Sequence, residues 1–147
     1  MPSWRISLPA PLRHYRRPIP PITGDIVEGQ GSLFHPAYAG VTLGPLHGSQ
    51  PDALVLCRDP TYRSLNGSPH MPVISPAQAL APYLAAAGLI NSKACFVGAS
   101  LNTSRLSEAA AQVILGHTTQ SMGLPCVDPI RRGVDPSRPG DNRCAIN

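Results

Sequence analysis

From Asp25 onward the chain alternates short all-apolar runs with polar loops, with helical segments between them. The runs are Ile26-Val27, Ala53-Leu54-Val55-Leu56-Cys57, Ala94-Cys95-Phe96-Val97-Gly98-Ala99 and the brief Pro125-Cys126-Val127. Unbroken apolar runs, as opposed to alternating ones, belong to strands covered on both faces, the habit of parallel sheets. Ser75-Pro76 reads as an N-cap followed by proline at the first helical position, and Gly88 stands where a C-cap belongs. Pro82 inside that helix predicts a kink or a late start. A second helix is expected from Ser107-Glu108 to just before Gly123, with Ala110, Val113, Ile114 and His117 on one face. A shorter one is expected from Tyr38 to Leu46 despite Gly40, Gly44 and Pro45. Strand, crossover, strand, repeated, predicts βαβ units and an α/β layered fold.

Residues 1–24 break the pattern: six prolines and four arginines with no period of 2 or 3.6 predict an extended or disordered arm. The tail from Asp135 is likewise expected to be disordered, leaving residues 25–134 as the folded domain. The 147 residues, 42% hydrophobic, suffice for one domain with a core. The 18 prolines and 13 glycines have no period, which excludes collagen-like and simple low-complexity readings.

The net charge of +4 changes less than it promises, because the arginines concentrate at the two ends and the middle is near neutral. A nucleic-acid footprint needs clustered charge on one face, so no nucleic-acid partner is expected. Cys57, Cys95, Cys126 and Cys144 have no C-x-x-C spacing, and the first three lie in apolar runs as small buried hydrophobes. With no run near the roughly 18 apolar residues of a membrane span and no secretory core, the expectation is a cytoplasmic protein without a membrane partner.

Ligands of open parallel sheets bind beyond the carboxyl ends of the strands. Four loops fall there: Glu28 to Ser32, Arg58 to Thr61, Asn102 to Arg105 and Asp128 to Arg131. Glu28, followed by Gly29, Gln30, Gly31 and Ser32, is a carboxylate beside glycines that admit a close backbone, chemistry suited to Mg²⁺ on nucleotide phosphates. A solvated turn accounts for it equally well. A Walker A loop is absent, since the only lysine, Lys93, has no glycine loop before it. Asp59 suits a turn through Asp-Pro, while Arg58 and Arg63 are forks for a carboxylate or phosphate if they are not simply solvated. His35 is a candidate general base beside the Glu28 loop, because imidazole titrates near neutrality. His47 and His70 lack zinc-ligand spacing, and no cysteine has a histidine partner that would make it a nucleophile.

The segments DIVEGQGSLFHPAYAGVTLGPLHGSQPDALVLCRDPT, FVGASLNTSRLSE and GLPCVDPIRRGV closely resemble the C-terminal part of the D-glutamate N-acetyltransferase family, formerly a domain of unknown function. That resemblance implies a P-loop domain like dethiobiotin synthetase, here a partial parallel sheet with flanking helices whose Walker A strand, loop and helix are missing. It places Glu28 at a metal-facing position and Gly29, Gln30, Gly31 and Ser32 around an acyl donor or nucleotide. It gives Asn102 a base-reading role, against an Asx-turn as the plainer account. It implies acetyl-CoA or a nucleotide with Mg²⁺, an amino-acid substrate such as D-glutamate, and a truncated member expected to be inactive alone. Two alternatives stand beside it: a non-enzymatic binding or assembly module forming homo-oligomers through an exposed sheet edge, and a nucleotide-dependent ligase or kinase.

Overall fold

The computed structural model describes residues 25–132; the expected N-terminal arm and the tail from Asp135 lie outside the described residues. The chain divides after Pro51 into two compact units.

In the first unit, α1 (Ala39–Ser49) carries Pro45 within it and ends at Gln50, whose φ of 50° is left-handed. The helix therefore forms as expected, three residues longer than Leu46, with the Ser49 hydroxyl donating to the Pro45 carbonyl at 2.7 Å. Ile26-Val27 is a correction: the pair forms no strand, and Ile26 is 100% exposed. Two apolar residues carry too few ladder bonds to hold an extended segment without paired neighbours.

In the second unit, β1 (Ala53–Arg58) leads through a hairpin of β2 (Ser64–Leu65) and β3 (Ser68–Pro72) into α2 (Pro76–Gly88). Then follow β4 (Cys95–Leu101), α3 (Glu108–Met122), β5 (Cys126–Val127) and the short α4 (Pro129–Arg132). The strands form a parallel sheet in the order β1-β4-β5 with helices against it, the α/β architecture the pattern predicts. The hairpin was not expected. Its signal is Asn66-Gly67, with Gly67 at φ +72°, between strands too short and proline-marked to read as strands.

The α2 cap is a capping box: the Ser75 hydroxyl oxygen accepts from Gln78 N–H, and the Gln78 side chain accepts from Ser75 N–H at 3.0 Å. The helix starts at Pro76, so Pro82 lies inside it and there is no late start; Leu89, not Gly88, is the C-cap. Gly123, at φ +66°, closes α3 as predicted. The face of α3 that packs inward is not the one that groups Ala110, Val113, Ile114 and His117. Ala111, Leu115, Thr118 and Met122 are buried, while Ala110 and His117 are exposed and Val113 is 72% exposed. A helix apolar or small nearly all round has an ambiguous phase, and the bulk of Leu115 and Met122 decides it.

The core gathers Phe96 and Ala99 of β4, Met122 and Leu124, with Leu54 and Leu56 of β1 and Leu80, Tyr83 and Leu84 of α2 packed on it. Phe96 and Ala99 lie three apart, which a regular strand would send to opposite faces. The register explains it: Leu54 pairs with Phe96 but Val55 with Gly98, so Val97 is an extra residue that resets the alternation. β4 is thereby buried along most of its length. β1 is not covered on both faces as expected: Ala53, Val55 and Cys57 are exposed, Val55 by 54%. In the described sheet β1 is the edge strand, and the core packs against only its Leu54 and Leu56 side. At the other edge, Gly98 lets β5 approach, since a Cβ there would meet the Pro125 carbonyl oxygen at 2.9 Å.

Candidate functional site

In the first unit the predicted loop is held by α1. Thr42 Oγ1 donates to the Gln30 carbonyl at 2.8 Å, Ser32 Oγ accepts from Phe34 N–H, and the Ser32 carbonyl accepts from His35 N–H. Gly31 adopts φ +75°, and a Cβ there would lie 2.7 Å from Tyr38 Cβ, so only glycine fits. Gly29, by contrast, faces open space, and Glu28, Gly29 and Gln30 are exposed.

His35 is 8% exposed, its ring tilted against Tyr38 with centroids 4.6 Å apart. Its Nδ1 accepts from Ala37 N–H at 3.1 Å. A neutral imidazole accepting at Nδ1 carries its proton at Nε2 and donates there. Service as a base therefore requires that bond to be given up.

Mg²⁺ bound through one carboxylate needs substrate phosphates and water to complete its octahedron. Among the described residues no three His, Cys, Asp or Glu side chains group as metal ligands. Glu28 fits as one ligand of such a site, and no Walker A motif, the usual phosphate cradle, occurs in the sequence.

In the second unit the carboxyl ends of the strands frame a cleft of about 340 Å³ lined by Cys57, Arg58, Asp59, Ser100, Asn102 and Ile130, among others. A second, of about 330 Å³, opens between the end of β1 and the hairpin, lined by Arg58, Asp59, Tyr62, Ser64, Leu65, Asn66 and Val73. Asn102 thus lies where predicted, and its Oδ1 accepts from Ser104 N–H at 3.1 Å, the Asx-turn. Asp59 makes the turn expected of it, with Oδ1 accepting from Thr61 Oγ1 at 2.6 Å and Thr61 N–H at 2.9 Å. The Thr61 hydroxyl, then the Thr61 N–H, and more weakly the Arg105 charge hold its carboxyl below the usual range against the opposing effect of burial. Arg105 reaches Asp59 at 3.9 Å and lies over the Tyr62 ring.

A polar clamp that the sequence reading missed ties the β4 and β5 loops together. Asp128 is 1% exposed and Thr103 0%. Asp128 Oδ2 accepts from Thr103 N–H at 3.0 Å and from the Thr103 hydroxyl, and Oδ1 accepts from Ile130 and Arg131 N–H at 2.9 and 3.1 Å. Arg131 donates to Thr103 Oγ1, to the Thr103 and Leu106 carbonyls and to Glu108. Burial alone would raise the Asp128 pKa, and the bonds from Thr103, Arg131 and Ile130 outweigh it, holding the carboxyl below its ordinary value. Asp128-Pro129 carried a local signal, a helix cap before an N1 proline; the Thr103 partner carried none. Burial, and secondarily the Asp128 charge, push the Cys126 thiol up to about 11. Cys57, expected inside, is exposed.

A parallel sheet with its clefts at the carboxyl strand ends and helices packed against it defines an α/β domain of the open-sheet kind. Residues 22–137 match the family described as "Domain of unknown function (DUF1611_C) P-loop domain". The chain belongs to that family. It is 49% identical over 111 residues to a D-glutamate N-acetyltransferase from Pseudoalteromonas sp. and 45% identical over 110 residues to one from Tritonibacter scottomollicae. The alignments cover 76% and 75% of this chain and 33% of each relative. A crystal structure of a DUF1611 family protein from Anabaena variabilis ATCC 29413 superimposes with a TM-score of 0.67 at 37% identity, over 72% of this chain and 31% of that one. The chain thus spans about a third of the length of the relatives it matches. No helix among the described residues is long and apolar enough to cross a membrane.

Proposed function

We propose that this chain is part of an amino-acid N-acetyltransferase that takes acetyl-CoA as donor and D-glutamate as acceptor. The observation that carries this reading is the 49% and 45% identity to two D-glutamate N-acetyltransferases across both units. In such a transfer acetyl-CoA supplies a thioester carbonyl, the acceptor amine gives up a proton and bonds that carbon, and the thiol leaves. From this chain we assign Gly29, Gln30, Gly31 and Ser32 to the loop against the donor, with Gly31 giving the backbone its required turn. Asn102 borders the strand-end cleft and contacts the purine of the donor or of a nucleotide. His35 takes the amine proton after releasing Ala37 N–H, and Glu28 is the carboxylate we assign to Mg²⁺ where a nucleotide is bound.

The test is thermal unfolding of the purified chain with and without acetyl-CoA, D-glutamate, and ATP with Mg²⁺, beside mass detection of N-acetyl-D-glutamate. A ligand bound only by the folded state raises the transition, by about 2.7 kcal/mol at a hundredfold excess over Kd. A rise with acetyl-CoA that Gly31→Val abolishes supports the reading; a transition blind to acetyl-CoA and D-glutamate sinks it. A rise with ATP and Mg²⁺ alone favours the ligase or kinase alternative. The exposed Ala53, Val55 and Cys57 on edge strand β1 favour a second reading, an assembly module that pairs through this edge. Concentration-dependent association in ultracentrifugation, lost in Val55→Lys, is its signature; a monomer at all concentrations removes it.

A further inference from the structure

The clamp on β4 and β5 consumes one arginine completely, whereas the arginine at the end of β1 is left short of partners. Arg58 Nη1 donates to the Ile74 carbonyl at 2.6 Å, and its Nε is sealed from solvent with no acceptor. None of the ion pairs among the described residues includes Arg58: the nearby Asp59 carboxylate takes both Thr61 donors and faces Arg105. Burial, and then the positive charge of Arg63, lower the Arg58 pKa, and no carboxylate among the described residues forms an ion pair with Arg58. A half-buried guanidinium in that state is a cost that a bound anion removes. Arg58 also lines the cleft under the hairpin with Tyr62 and Ser64, whose hydroxyls are donors.

We propose that the cleft between the end of β1 and the β2–β3 hairpin is an oxyanion subsite, in which Arg58, aided by the charge of the exposed Arg63 that lies in sequence between the lining residues Tyr62 and Ser64, binds the carboxylate or phosphate group of a small ligand. Guanidinium forks match both groups. The volume of about 330 Å³ lies at the lower limit for ligand pockets, which favours a small acid or one phosphate group over a whole nucleotide. Two strand-end clefts sharing Arg58 would keep this group beside whatever contacts Asn102. The subsite is independent of acyl transfer, because anion binding is measured without turnover.

The test is titration of the 147-residue chain with glutarate, D-glutamate, inorganic phosphate and coenzyme A, followed by calorimetry and by amide chemical shifts of residues 58–66. The expected result is saturable binding, with shifts confined to β1, the hairpin and the strand-end loops. Tighter binding of glutarate and D-glutamate than of phosphate identifies an organic acid as ligand; the reverse order identifies a phosphate ester. Arg58→Gln weakens binding tenfold or more, and Arg58→Lys restores only part, since an ammonium lacks the fork. Arg63→Glu, at an exposed position that leaves the fold intact by circular dichroism, also weakens binding at least tenfold. A wild-type chain that binds none of the four overturns the proposal. So does binding that survives Arg63→Glu unchanged, or shifts that fall elsewhere.

Discussion

Removing the Asp128 carboxylate is the sharpest perturbation available in this fold. In Asp128→Ala four donors lose their acceptor: Thr103 N–H, the Thr103 hydroxyl and the N–H groups of Ile130 and Arg131. The latter two begin α4, where Ile130 is exposed and water can replace the carboxylate, so together they count as one lost cap of about 1 kcal/mol. Thr103 is sealed, and its two stranded donors cost about 1–3 kcal/mol each. Arg131, 3.8 Å from the carboxylate, keeps Glu108 as a counter-charge, so no further term is added. The total, discounted for non-additivity, is about 3–5 kcal/mol, which at roughly 2–4 °C per kcal/mol lowers the melting temperature by about 6–20 °C. Asp128→Asn keeps an oxygen for the α4 N–H groups but turns an N–H toward Thr103, and loses about half as much. The pH dependence has a definite sign. The folded carboxyl lies below its unfolded value, so its stabilisation is complete above about pH 4 and is lost as pH falls through the lower, folded value. Melting curves of wild type and Asp128→Asn should therefore differ at pH 7 and converge in strong acid. A loss below about 1 kcal/mol in Asp128→Ala, or a gap that stays constant with pH, refutes the reasoning.

Four other outcomes follow from local geometry. Gly98→Ala places a Cβ 2.9 Å from the Pro125 carbonyl and should loosen β5, seen as faster amide exchange at Ala99, whose N–H bonds that carbonyl. Iodoacetamide at pH 8 should label exposed Cys57 and leave Cys126, its thiol pushed up to about 11, largely unmodified until the pH approaches that value. Ser75→Ala removes the α2 capping box and should cost about 1 kcal/mol in urea unfolding. Arg58→Met, which removes a half-buried cation that forms no ion pair among the described residues, should raise the melting temperature by about 2–4 °C in anion-free buffer; a lower one shows that the Ile74 bond outweighs the charge.

The elements that periodicity and capping define locally were legible. The runs at Ala53 and Ala94 became β1 and β4 because branched and apolar residues fill a sheet interior, and Ser75-Pro76 and Gly123 marked helix ends by stereochemistry alone. Ile26-Val27 misled because pairing, which a sequence does not display, decides whether two residues become a strand. The phase of α3 misled because Ala, Val, Ile and Leu occur on several of its faces. At the strand ends, Asn102 and Arg58 both line a cleft, the place where parallel topology leads ligand-facing loops to be sought. The Thr103 and Asp128 bond was hidden because its partners are 25 positions apart and neither is unusual where it stands.

That separation also orders assembly in time. The clamp closes a loop of 25 residues, whereas Asp52 meets Cys95 across 43 and brings β1 beside β4. Loop entropy grows slowly, at about 0.6 kcal/mol per doubling, so length alone separates the two events little. Composition separates them more: the shorter loop holds α3, which forms locally within about a microsecond, while the longer one must organise a hairpin and α2 before its ends meet. This predicts that in the second unit the β4, α3, β5 half forms before β1 docks, so that Arg58 and both clefts come together late in folding.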